Sequence, residues 1–282
     1  MIAEQQITSP DSLEASSPYE LRVGLGRSVP ESDVKRSLLT GEAGFMHSFT
    51  TGSAVDGPGI RVVAWTAGCQ FKCQYCHNPD TWNMMNGSPV PVERAIEQLG
   101  KYRHGLKIMN GGFTISGGEP LMQDRFVMRM FSAAREMGIH TAIDTNGFLG
   151  SRLTDEELEK IDLVMLCVKA WDPDLHRKLT GKEPEPSREF ARRLAALNRP
   201  MWFRYVLVPG LTDTEEEVEA LGKFAVELGN VQRVDVLPFH QMGKFKWEKL
   251  GLDYALNDVE PPSAERVTQV CEQFRSMGLT AV

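Results

Sequence analysis

The chain has no hydrophobic run long enough to cross a bilayer. Its longest apolar stretches, such as Leu163 to Val168, have the length of a strand. It has no excess of positive charge: 31 Lys and Arg face 38 Asp and Glu, a formal net charge of −7. That balance argues against a general binder of nucleic acid or of anionic membrane. The start, Met1-Ile2-Ala3-Glu4, lacks the basic residues and apolar core of a secretory signal. Cysteine is scarce, with five residues, and too clustered for a disulfide framework, which points to a reducing cytoplasm. What is left is an ordinary globular composition over 282 residues, enough for one large domain or two small ones.

Scarcity makes the placement of the cysteines informative. Cys69, Cys73 and Cys76 fall within the run Gly68-Cys69-Gln70-Phe71-Lys72-Cys73-Gln74-Tyr75-Cys76-His77-Asn78, spaced C-x3-C-x2-C. Three thiolates on one loop can hold one inorganic centre, and they are one ligand short of a closed tetrahedral site. The spacing therefore points to a metal centre with an open coordination position. Spacing alone leaves two metal readings open. One is zinc, completed by His77 or a remote ligand. The other is a 4Fe–4S cluster with three protein thiolates and one iron left for a non-protein ligand. Ordinary buried cysteines are the third possibility.

Residues 1–44 are rich in Ser, Pro and Glu and show no sustained period. They read as a flexible N-terminal extension, with a short helix near Asp33 to Leu39. Residues 45–282 read as the folded domain. Strand patterns occur at Ile60–Thr66, Gly112–Ser116, Ile139–Asp144, Asp162–Lys169, Met201–Val208 and Val231–Leu237. Helical patterns lie between them, at Val92 to Arg103, Gln123 to Met137, Ser187 to Leu197, Thr214 to Leu228 and Ser263 to Met277. Thr154-Asp155-Glu156-Glu157 predicts a capping box at the start of a further short helix. Six strands alternating with helices predict a parallel α/β architecture. Six units are too few for the closed eight-stranded barrel, so an open partial (β/α)6 barrel is expected. Periodicity cannot separate it from a doubly wound sheet. Either fold puts functional residues just beyond the strand C-termini.

The unusual residues fall there. The cysteine loop follows the first strand, and Ser116-Gly117-Gly118-Glu119-Pro120 follows the second. Asp144-Thr145-Asn146-Gly147 follows the third, Lys169 ends the fourth, Arg204 lies in the fifth and His240 follows the sixth. One shared site is predicted. Glycines after a strand let a ligand approach the backbone, and Glu119 offers an acceptor to a cationic group. Each feature also has a structural alternative. Gly-Gly-Glu-Pro can be a tight turn, Asp144 a turn cap, Lys169 a surface lysine and His240 a loop histidine. Arg204, inside an apolar strand, needs a partner from ligand or protein. His47, His104, His140 and His176 read as structural or surface residues, and Cys271 as a buried apolar one.

Taken together, C-x3-C-x2-C after the first strand and Gly-Gly-Glu-Pro after the second resemble the radical S-adenosylmethionine (SAM) superfamily. Val55-Asp56-Gly57-Pro58-Gly59-Ile60-Arg61 and Cys76-His77-Asn78-Pro79-Asp80-Thr81-Trp82 resemble its glycyl-radical enzyme activases. Tyr102-Arg103-His104, Asp144-Thr145-Asn146-Gly147-Phe148, Arg204 to Gly210, Leu237-Pro238-Phe239-His240 and Gly243-Lys244-Phe245-Lys246-Trp247 resemble the branch that serves pyruvate formate-lyase. The likeness runs from about Phe45 to the C-terminus. No cysteine lies between Cys76 and Cys167, so the chain resembles activases without a ferredoxin-like insertion.

The resemblance implies a 4Fe–4S cluster held by Cys69, Cys73 and Cys76, with SAM chelating the open iron through its amine and carboxylate. It implies one-electron cleavage of SAM, with removal of a hydrogen atom from a backbone glycine of pyruvate formate-lyase. A flavodoxin- or ferredoxin-type protein would donate the electron. By position, Tyr75 and His77 meet the adenosyl part. Gly117, Gly118 and Glu119 hold the methionine amine through backbone oxygens and carboxylate. Asp144, Lys169 and Arg204 meet the ribose or carboxylate, Cys167 and Val168 border the SAM site, and His240 contacts the nucleoside. Asp56 meets the target glycine loop. One departure stands out: where the family reads Asp-Leu-Lys, this chain reads Cys167-Val168-Lys169. The resemblance assigns that aspartate to a monovalent-cation site beside SAM. A thiol is a poor ligand for a hard cation, which counts against the site here. Activation of a different glycyl-radical enzyme, or a metal-binding module without catalysis, are the competing functions.

Overall fold

The computed structural model describes residues 20, 21, 36 and 38–282. The extension expected to be flexible lies mostly outside the described residues; of the helix expected near Asp33 to Leu39, residues 36 and 38–40 are helical. Strand β1 (Glu20–Leu21) pairs antiparallel with β2 (Ala43–Ser53), which pairs antiparallel with β3 (Arg61–Thr66) and, near its start, with β4 (Ser88–Pro91). Then come β5 (Gly112–Gly117), β6 (His140–Thr145), β7 (Leu163–Val168), β8 (Met201–Leu207) and β9 (Val231–Pro238). Strands β3, β5, β6, β7, β8 and β9 form consecutive parallel ladders in chain order. A doubly wound sheet requires a reversal of strand order, and there is none. No ladder among the described residues returns from β9 to β3. The expected open partial barrel is therefore found, with every predicted strand limit within one residue.

The helices are α1 (Val92–Gly100), α2 (Arg103–Ile108), α3 (Asp124–Glu136), α4 (Asp155–Leu158), α5 (Pro173–Thr180), α6 (Glu185–Ala196), α7 (Glu215–Leu228), α8 (Lys244–Lys249) and α9 (Ala264–Ser276). The capping box at α4 is formed: Thr154 accepts from the Glu157 amide, and the Glu157 carboxylate accepts from the Thr154 amide. The helix expected over Val92 to Arg103 ends at Gly100, and a second, α2, begins at Arg103. None is both long and apolar enough to cross a membrane.

Alternation along each strand sends side chains to two different places. One face, including Ile115, Ile143, Leu166, Phe203 and Val234, packs with Phe131, Leu194, Leu221 and Phe274 from the helices in the main core. The other face lines the barrel interior. Ala142, Leu163, Met165 and Trp202 form an apolar cluster there. At the N-terminal end of β3, fully buried Arg61 donates to Thr114 Oγ1 and to the carbonyls of Pro58, Phe113 and His140. That end is closed. The C-terminal ends of the strands are open.

Candidate active site at the strand ends

The loop leaving β3 is held from three sides. Amides of Lys72 and Gln74 donate to the carbonyls of Thr180 and Leu179 at the end of α5. Trp247 of α8 donates its indole N–H to the Cys76 carbonyl at 2.9 Å, and its ring meets Trp82 edge-on at 5.0 Å. Below the loop, buried Lys246 reaches Asn78 Oδ1 at 2.8 Å and Asp80 at 3.2 Å, and His47 bonds the same Asp80 at 2.8 Å. Sequence reasoning missed α5, although Asp172 before Pro173 is a start signal: its side chain accepts from the Leu175 amide. It also missed the roles of Lys246 and Asp80, which only the fold brings together.

The glycine pair seals the loop to the sheet. The Gly118 amide donates to Thr66 O at 2.8 Å, and the Glu119 amide donates to Gly68 O at 2.7 Å. A Cβ on Gly117, whose φ is +124°, would lie 2.2 Å from Thr66 O. The Glu119 carboxylate does not point into the open site. It is fully buried, accepting from the Leu121 amide and Thr145 hydroxyl through one oxygen and from the Asn146 amide through the other. Its oxygens join the ends of β5 and β6.

Between loop and sheet lies an open cavity of about 230 Å³. Cys69, Cys73, Tyr75, Cys76, His77, Gly117, Gly118, Asp144, Cys167, Lys169 and Arg204 all line it. Asp144 accepts from Arg204 at 2.7 Å, from Ser116 at 3.0 Å and from the Cys167 thiol at 3.1 Å. Among the described residues, no hydrogen bond or ion pair joins the Lys169 ammonium to a protein group; it sits 5.9 Å from the Tyr75 ring centre. Three expected residues lie elsewhere. Val168 packs on the main core and borders a smaller hollow behind β7, because successive strand residues face opposite ways. His240 stacks on His77 with ring centres 3.9 Å apart and does not line the cavity. Asp56 is buried beside Arg204 at 3.5 Å and accepts from Ser53.

The description "Radical SAM superfamily" matches residues 63–224, more than half of the chain. The chain is 42% identical to the pyruvate formate-lyase 1-activating enzyme of Escherichia coli (strain K12) over 236 residues, 82% of this chain and 96% of that one. The chain belongs to the pyruvate formate-lyase-activating enzymes of the radical SAM superfamily. It is also 43% identical to the pyruvate formate-lyase-activating enzyme of Streptococcus mutans, over 79% of this chain and 88% of the relative. A crystallised domain of such an enzyme from Bacteroides vulgatus shares the fold with a TM-score of 0.50 and 23% identity, over 61% of this chain and 98% of the domain.

Membership in the radical SAM superfamily implies a 4Fe–4S cluster and SAM, and the residues fit both. Burial raises all three loop thiols, Cys76 to about 12, and for Cys69 the charges of Cys73 and Glu119 add to it. Such thiols need the positive charge of a metal centre to ionise. No three His, Cys, Asp or Glu side chains among the described residues are arranged to hold one ion. Burial alone would lower Lys169, but its surroundings of Cys167, Tyr75, Cys73 and Asp144 hold it well above the usual lysine value. A fixed cation without a protein acceptor suits an anionic ligand group. Burial opposes ionisation of Asp144 too, yet Arg204 keeps it below the usual carboxylate range.

Proposed function

We propose that this chain activates pyruvate formate-lyase, cleaving SAM reductively and removing a hydrogen atom from a backbone glycine of that enzyme. One observation carries the reading: a thiol triad and an acceptor-free ammonium open on one cavity, in a chain matching 96% of an E. coli pyruvate formate-lyase 1-activating enzyme. When bound, cluster and SAM supply the 5′-deoxyadenosyl radical that takes the hydrogen atom. Cys69, Cys73 and Cys76 would each hold an iron and leave the fourth to the amine and carboxylate of SAM. Backbone oxygens of Gly117 and Gly118 would receive the amine, while Glu119 fixes Thr145 and Asn146 behind them. Lys169 would attract the carboxylate. Tyr75 and His77 would meet the adenosyl part, His240 bracing His77 by stacking. Asp56 would steady Arg204 from beneath. Phe71, Trp65 and Trp82, which also line the cavity, would exclude water from the reacting atoms. A flavodoxin- or ferredoxin-type donor would bring the electron, and residues 45–282 would form the catalytic domain.

The test is anaerobic mixing of reduced, cluster-loaded protein with SAM and pyruvate formate-lyase. A glycyl radical signal by electron paramagnetic resonance is expected. Colourless protein holding zinc and no iron would sink the reading. Cys73→Ala should lose the cluster signal and radical formation together; SAM cleavage retained in that variant would overturn the ligand assignment.

A further inference from the structure

The carboxylate of Asp144 faces the cavity with both oxygens occupied. Oδ1 accepts the Cys167 S–H at 3.1 Å, and Oδ2 accepts the Ser116 hydroxyl at 3.0 Å and the Arg204 guanidinium at 2.7 Å. Arg204 also lies 3.5 Å from Asp56. All three donors converge where a hard cation would need acceptors, and one of them carries a full positive charge. An alkali-metal ion prefers oxygen donors; position 167 offers sulfur, with its hydrogen directed at the one carboxylate. Within the group the charges balance without a mobile ion, since the Asp144 carboxylate meets the Arg204 guanidinium and Cys167 offers a neutral S–H. The residues present therefore do not fit the monovalent cation that the resemblance implies beside SAM.

We propose that Cys167, Asp144 and Arg204 form a self-neutralising triad in place of that cation, so that this chain binds SAM without needing Na⁺ or K⁺. Arg204 acts as the built-in cation, and Cys167 is the positioning residue that makes it sufficient. An aspartate at 167 would add a second cavity-facing carboxylate while Arg204 is already engaged by Asp144 and Lys169 is left for the carboxylate of SAM, and a mobile ion would then be required. The inference rests on the activase reading for the presence of SAM, but its geometry stands on the protein alone.

The experiment measures SAM affinity of the cluster-loaded protein by equilibrium dialysis, in K⁺, Na⁺ or choline chloride at one ionic strength. Thermal midpoints of the same samples without SAM are recorded in parallel. The wild type should change its SAM affinity by less than about twofold between buffers, and its midpoint should not respond to K⁺ beyond its response to choline. Cys167→Ser, which keeps a donor, should behave likewise. Cys167→Asp should bind SAM about tenfold more weakly in choline than in K⁺. A wild type that loses about tenfold in choline, or a folded Cys167→Asp that stays indifferent, overturns the proposal. If Cys167→Asp does not fold, the wild-type result decides. Failure of the wild type to bind SAM in any buffer would sink the activase reading; the thermal midpoints then decide the triad, a K⁺-specific rise overturning it.

Discussion

At Gly118 one methyl group decides whether the cysteine loop keeps its seat. A Cβ there would lie 2.4 Å from Gly68 O and 3.1 Å from Thr81 O. Both are backbone atoms, so neither can swing aside as a side chain would. Gly68 also binds Thr81 O through its amide and leads directly into Cys69. Gly118→Ala should therefore cost about 1–3 kcal/mol, as overpacking does, and should reduce the iron bound per chain after anaerobic reconstitution. Urea unfolding and iron analysis check both parts, and an unchanged iron content contradicts the argument. The need for small residues was legible in the sequence, because glycines at a strand end admit close approach. What approaches them was not, since that follows from the β3–β5 pairing. Glu119 shows the same limit. The sequence offers an acceptor; only the fold brings Thr145, 26 residues away, to fill it.

Short helices, more than long ones, set the position of the cysteine loop. Long periodic helices such as α3 and α7 were readable from their apolar faces. Helix α5 has eight residues and α8 six, too few to show a convincing period, yet both touch the loop directly. Strands β2 and β4 escaped for a related reason: polar residues such as Ser48, Thr50 and Thr51 interrupt the pattern along β2. Helix α8 works through Lys246, whose ammonium meets Asn78 and Asp80 while both charged residues are buried. Burial would raise Asp80, but the His47 hydrogen bond and the Lys246 charge outweigh it and hold the carboxyl below its usual 3.8. A carboxylate so depressed contributes stability that is complete above 3.8 and is lost as pH falls through the lower folded value. Lys246→Met removes one partner of a buried pair, for which about 3 kcal/mol at neutral pH is expected. The deficit should narrow when the pH is lowered from neutral to below the depressed folded value, where protonated Asp80 no longer needs the cation. Urea unfolding at the two pH values checks this, and a deficit that stays constant contradicts it.

Across the whole molecule, stability and chemistry sit at opposite ends of one sheet. The sequential strand order carries the cysteine loop, the glycine turn, Asp144 and Lys169 to the open end in turn. That arrangement followed from strand order alone, which is why a shared rim was foreseeable and the burial of Asp56 was not. The closed end is built around Arg61, whose guanidinium is fully buried with Thr114, His140 and three carbonyls as acceptors. No carboxylate among the described residues forms a direct ion pair with it, and burial lowers it to about 10. The charge is thus tolerated only because a planar fork of donors finds oxygen in several directions at once. A lysine has a single donor head and cannot match that fork. Arg61→Lys should cost about 3 kcal/mol of stability, since it leaves buried acceptors unmet around a poorly solvated charge. If the two ends are separable, the folded variant should still bind SAM within about threefold of wild type. Denaturant unfolding and equilibrium dialysis give the two values independently. One route could join them, because Thr114 donates to the Asp56 carbonyl and Asp56 lies beside Arg204. A SAM affinity falling by about tenfold or more would mean that the strain of the closed end travels along that route into the cavity.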